Sequence, residues 1–283
     1  MVRHKNYRGG GLTDLLKYRQ EVSKFEKKDG IIALCVWLGY IICMMGIVAL
    51  RDMLNLPWFL FFPYTIITTS LLAGIVFVIV LRKKQGLASI GLHKENIWPA
   101  IRLGLLLCLI PIVFIAIIPG IFGGFNQQQI GARIIMLVSI FFFAAHEDVI
   151  FVGFIQTRLY GFFKTDIAAI SVGALLFAAM HIPPWLMMGQ IDLDNLLTGL
   201  GLPVLSWILM HLVFVSVFKK HFSLVPVFIL HTMNNYSLSI VQTTTVFGVD
   251  FSIIFLALYA LAACVLFWHT HRKSKKGKRF DRF

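Results

Sequence analysis

The chain has 283 residues, 58% of them hydrophobic and only 14% charged, where an ordinary soluble domain carries about a quarter charged. A soluble enzyme and a disordered chain are excluded on that ground. The formal net charge is +13, but the cations flank apolar runs, which points to lipid head groups and not to nucleic acid. Cys35, Cys43, Cys108 and Cys264 all lie inside apolar runs without CxxC spacing. That pattern implies no disulfide framework, zinc knuckle or redox role.

Residues 1–30 are polar and basic. Within them Leu12, Leu15, Leu16, Val22 and Phe25 recur at near-helical spacing among lysines and arginines, predicting a short helix on the membrane surface. The apolar run from Ile31 has no small-residue cleavage site after it and reads as a retained span. Eight spans follow from the apolar runs, at 31–50, 59–81, 101–123, 133–156, 166–188, 197–218, 223–245 and 249–268, each near the ~20 residues that a bilayer requires. Pro57 and Pro63 soften the second boundary. The expected fold is therefore all-α, a polytopic membrane bundle of about eight transmembrane helices in one domain over 31–268, followed by a basic tail over 269–283.

Lysine and arginine placement tests this topology. Of the 26, 24 fall in 1–30, 82–102, 154–166, 219–222 and the tail after 268, leaving Arg51 and Arg133 on the other side. The positive-inside rule puts the crowded side, and with it both ends of the chain, in the cytoplasm.

Ionisable groups within the spans default to function, because a charge at the bilayer centre costs at least about 2.5–3.5 kcal/mol. They cluster here: His146, Glu147 and Asp148 on the fourth span, His181 on the fifth, His211 on the sixth, and His231 with Asn234 and Asn235 on the seventh. His231 and Asn235 are four residues apart and share a helical face, as do Phe177 and His181. Asn234 turns away from that face. Counting residues from the basic ends puts Glu147 and His231 about 13–15 Å deep, and His181 deeper. The three are expected to line one cavity in the membrane, opening toward the cytoplasm. Pro183 and Pro184 should kink or end the fifth span beside His181, and freed carbonyls there would call for a hydrated surface. His146 and His211 read as helix-to-helix hydrogen-bonding groups.

HEDVIFVGFIQTRLY, FAAMH and HTMNN, in that order on separate spans, resemble the CPBP family of intramembrane proteases. This group comprises the CAAX prenyl endopeptidases and bacteriocin-processing, or Abi, proteins. Its motifs are EExxxR followed by Gly, FxxxH, and HxxxN or HxxxD. Glu147 and Asp148 take the acidic pair and Gly153 the glycine, Phe177 and His181 the second motif, and His231 and Asn235 the third. The resemblance covers about residues 85–240. Two positions depart from it: Asp148 replaces the usual Glu, and Val152 replaces the arginine. Arg158, ten residues beyond Asp148, is expected to snorkel to the interface.

The resemblance implies an intramembrane endopeptidase. Glu147 and His181 would activate a water, while His231 and Asn235 would stabilise the oxyanion. In a metal variant Glu147, His181 and His231 would bind Zn2+, although there is no HExxH motif. The implied partners are membrane lipid and a peptide substrate, prenylated or carrying a leader, reaching the site from the cytoplasm of a bacterial cell. Two other readings stand beside it. One is a non-catalytic family member acting in bacteriocin immunity or as a membrane scaffold. The other is a proton-coupled transporter.

Overall fold

The computed structural model describes residues 10–55, 58–189, 191, 194, 196–243, 245–246 and 249–280. Pro57 lies outside the described residues. The described residues are helical almost throughout, mainly in nine stretches, with a 3-10 turn at Leu87–Ile90 and a π turn at Leu196–Gly201 besides. Helix α1 spans Gly10–Val22, α2 Lys27–Leu54, α3 Trp58–Arg82, α4 Ile97–Gly123 and α5 Ile130–Phe163. Helix α6 spans Asp166–Met187, α7 Leu202–His221, α8 Val225–Ser239 and α9 Phe251–Phe280. Two two-residue strands, Thr245–Val246 and Val249–Asp250, pair antiparallel before α9.

Among the described residues six helices are long and apolar enough to cross a membrane. This is an integral multi-pass membrane protein. The expected count of eight spans is not confirmed: α8 has only 15 residues, about 22 Å of rise, and among the described residues the apolar stretch of α9 runs over Ile253–Leu266. Helix α8 stops early because the chain turns onto the loop after α4. There Asn126 Nδ2 donates to the carbonyls of Ser239 and Val241 at 2.8 and 3.0 Å. Outward-facing apolar side chains, such as Leu71 and Ile135 at 65% and 69% exposure, form the surface that lipid covers.

Local chemistry sets the helix ends. A capping box at Glu26 and Asp29 starts α2, and Asn55, with φ 47°, closes it. Phe222, also at φ 47°, ends α7, and Pro226 stands in the first turn of α8, where its missing N–H costs nothing. Helix α3 runs through Pro63, and α6 continues past Pro183 and Pro184 to Met187, so the helix does not end at His181 itself. The helix ends within a turn of those prolines, where lost backbone bonds weigh least.

The basic loops meet at one end of the bundle, here called the basic face. Lys83 pairs with Asp29 at 2.6 Å and Lys219 with Asp166 at 3.0 Å. Lys17 reaches Glu95, which holds that carboxyl below its ordinary range. The apolar face of α1 turns onto protein: Leu15, Tyr18 and Val22 are buried, and Tyr18 sets its ring edge-on to Tyr160, Phe218 and Phe222.

Arg158 does not snorkel. It is 1% exposed and donates to Gln85 Oε1 at 2.7 Å, Ser89 Oγ at 2.8 Å and Thr157 Oγ1 at 2.7 Å. Its guanidinium also stacks over Phe25 and Phe154. The segment 85–91 folds across the end of α5 and supplies acceptors that water would otherwise have provided. Gly153 makes that possible, since a Cβ there would lie 2.9 Å from the Ile90 carbonyl.

Candidate active site

Glu147 and Asp148 end the regular part of α5, and the next seven residues, Val149–Ile155, form a π-helical turn. Such turns offset the side-chain register and recur at functional sites. Both acids are buried, at 3% and 0% exposure. They point to different partners.

Glu147 Oε1 accepts a hydrogen bond from Tyr40 Oη of α2 at 3.0 Å, and its Oε2 stands 3.7 Å from His231 Nε2 of α8. Asp148 Oδ1 is 3.0 Å from the other ring nitrogen, His231 Nδ1. One imidazole thus lies between two neighbouring carboxylates. The acid lacking an arginine at Val152 has a partner after all, on another helix. The Phe214 ring, 4.8 Å from that of His231, backs the imidazole.

His181 Nδ1 lies 2.8 Å from the Phe177 carbonyl one turn earlier. A carbonyl only accepts, so Nδ1 carries the proton and Nε2 is left with its lone pair. The ring stacks on Trp207 at 4.6 Å between centroids and 12° between planes. On α8, Asn234 Nδ2 donates to Asn235 Oδ1 at 3.2 Å and to Met210 Sδ at 3.3 Å. That leaves the Asn235 amide nitrogen as the free donor. Asn234, set aside in the sequence reading, holds its neighbour's orientation.

Glu147, His181, His231 and Asn235 line one cavity of about 730 Å³. Tyr40, Trp185, Trp207 and Met210 share its wall. The tyrosine and tryptophans carry no signal in the sequence, which has 26 Phe, 7 Tyr and 6 Trp spread through the spans.

The cavity does not open toward the basic face. Its lining comes from the far parts of the helices: Met44 and Val48 on α2, Pro184 to Met188 on and just past α6, Leu202 to Met210 on α7, Leu238 on α8. On the basic side Phe151, Phe154, Phe214 and Phe218 are at most 1% exposed and close the floor. Depth counting put the site near mid-membrane, but it carries no information on which end is packed shut.

His146 and His211 stay out of the cavity wall. His146 bonds Ser70 Oγ and Thr69 Oγ1 of α3 at 3.0 and 3.3 Å. His211 Nε2 bonds Gln156 Oε1 at 3.1 Å and stacks on Phe177. Both tie helices together.

Among the described residues no three His, Cys, Asp or Glu side chains converge as a metal-binding group. Glu147 and His231 approach each other, but His231 faces Asp148 with its second nitrogen and His181 does not complete a set. The arrangement does not fit the three-ligand zinc site that the family's metal variant requires, and no step below passes through a metal.

A family model described as type II CAAX prenyl endopeptidase Rce1-like matches residues 129–237. That stretch holds all three motifs, and the match bears out the resemblance to the CPBP and CAAX intramembrane proteases. No curated protein and no solved structure matches the chain.

Proposed function

We propose that this protein is an intramembrane endopeptidase in which Glu147 and His181 activate water against a peptide carbonyl. The observation carrying this reading is the shared cavity wall of Glu147, His181, His231 and Asn235, drawn from three helices inside an apolar bundle.

The chemistry follows from the free atoms. A water donates one hydrogen to the Glu147 carboxylate and the other to His181 Nε2, which turns its lone pair outward. As it attacks the carbonyl carbon, Glu147 takes the proton and returns it to the leaving amine. Tyr40 anchors the carboxylate from behind. The developing oxyanion is met by the Asn235 amide and by His231 Nε2–H, the imidazolium form being steadied by Asp148 at Nδ1. Each such donor contributes about 2.7–4 kcal/mol in known hydrolases. Apolar walls exclude bulk water and strengthen every one of these contacts.

The test compares membranes and medium from cells expressing the protein or its Glu147→Gln variant at equal levels, by mass spectrometry of peptide termini. New termini that vanish in the variant support the protease and identify its substrate. Identical termini, with a biological effect retained by both, overturn it in favour of a non-catalytic role in peptide immunity or scaffolding.

A further inference from the structure

We propose that the peptide reaches Glu147 from the membrane face opposite the basic face, as an uncharged apolar stretch, so that cleavage follows its translocation. This rests on the hydrolase reading for the identity of the occupant, but the route itself is a matter of packing. Five helices agree on it. Along α2 and α6, which start at the basic face, the cavity takes residues from Tyr40 and Met180 onward. Along α5 and α7, which run the other way, it takes residues up to Glu147 and Met210 and none beyond. On α8 it begins at His231.

Below that level the bundle is filled. Val152, Phe154, Val217 and Phe218 are at most 1% exposed, and Arg158 is bound to the 85–91 segment beneath them. A peptide coming from the basic face would have to unseat that buried guanidinium. At the other end Met188 and Leu202 are half-buried, and Leu186 and Leu238 are exposed. The positive-inside rule makes this the outer face.

The wall also fixes the occupant's character. Among the described lining residues Glu147 is the only acid, and there is no lysine or arginine. A charged side chain beside the scissile bond would find no counter-ion other than Glu147 and His231, which the proposed reaction itself uses, at a depth where that is costly. Trp185, Met188, Met210 and Leu256 offer apolar contact instead. The reaction preceding this one must therefore be export or insertion of the peptide, delivering an apolar segment to the outer half of the bilayer.

Thiol accessibility tests the route without needing turnover. With Cys35, Cys43 and Cys264 replaced by alanine and the buried Cys108 kept, Ser206→Cys reports the cavity and Lys28→Cys the basic face. Met188→Cys at the rim serves as a second reporter should the first not accumulate. Right-side-out and inverted vesicles are treated with a small membrane-impermeant methanethiosulfonate, and remaining thiols are counted after denaturation. The expected result is several-fold faster modification of Ser206→Cys in right-side-out vesicles, and of Lys28→Cys in inverted ones. Faster modification of the cavity reporter from the side that exposes Lys28→Cys, or none from either side, overturns the proposal. Repeating the labelling with Glu147→Gln separates this outcome from failure of the hydrolase reading.

Discussion

Asp148 Oδ1 lies 3.0 Å from His231 Nδ1, so the second acid on α5 is held by a histidine on α8 and in turn fixes which way that ring faces. The usual arginine partner is Val152 here, buried among other apolar side chains. In the proposed mechanism Asp148 is a positioning residue: it touches the ring that faces the cavity, while the substrate would meet the ring's other nitrogen. The Asp148→Asn variant keeps the shape but can present an N–H to His231 Nδ1, favouring the wrong tautomer. In a serine protease the equivalent exchange costs about 10⁴ in kcat. We expect a fall of at least about 100-fold in kcat with KM little changed, at unchanged membrane level. A rise in KM alone would assign Asp148 to substrate binding instead.

Tyr40 extends the site beyond the family-like segment. Its hydroxyl donates to Glu147 Oε1 at 3.0 Å, and its ring stands edge-on to Phe151 at 5.0 Å. Tyr40→Phe keeps the ring contact and removes the hydrogen bond. Bonds to charged groups contribute about 1.5–3 kcal/mol, so turnover should fall about ten- to a hundredfold while thermal stability in detergent stays near that of the parent. Turnover equal to the parent would place Tyr40 among packing residues only.

Arg158 and the cavity respond differently to mutation. Arg158→Ala leaves Gln85, Ser89 and Thr157 without a buried donor and opens space between Phe25 and Phe154. Each buried polar group left unpaired costs about 1–3 kcal/mol, and the cavity between the rings adds to that. The expected outcome is a large loss of folded protein, measured by thermal unfolding in detergent, with normal turnover per folded molecule. Normal stability would show that the 85–91 segment does not depend on this clamp.

Much of the candidate site was legible because ionisable groups are rare inside apolar runs. Glu147, His181, His231 and Asn235 stand out for that reason, and spacing within a helix placed each pair on its face. Contacts between helices were not legible. The Asp148–His231 pair spans 83 residues and the Tyr40–Glu147 bond 107, and no periodicity connects such positions. The burial of Arg158 is not legible from its own helix, because acceptors for its guanidinium come from residues 85–89. The direction of the cavity depends on which half of each interface carries large side chains on both partners, and that pairing exists only in three dimensions.

Glycines separate close packing from open lipid-facing surface. At Gly161 a Cβ would lie 2.1 Å from the Glu26 carbonyl oxygen, and at Gly173 it would lie 2.0 Å from Gln156 Oε1. The first obstacle is backbone that caps α2. The second is a side chain whose amide also bonds the Ala169 carbonyl and His211, so moving it breaks the tie among α5, α6 and α7. At Gly74 nothing lies within 4 Å. Gly161→Ala and Gly173→Ala should each destabilise by about 1–3 kcal/mol through overpacking, with Gly161→Ala the worse because backbone cannot swing aside. Gly74→Ala should be neutral or stabilising by up to about 1 kcal/mol through helix propensity. Unfolding temperatures of the three variants in one detergent check the order. If Gly74→Ala proved the most harmful, its face of α3 would be packed against another molecule in the membrane and not against lipid.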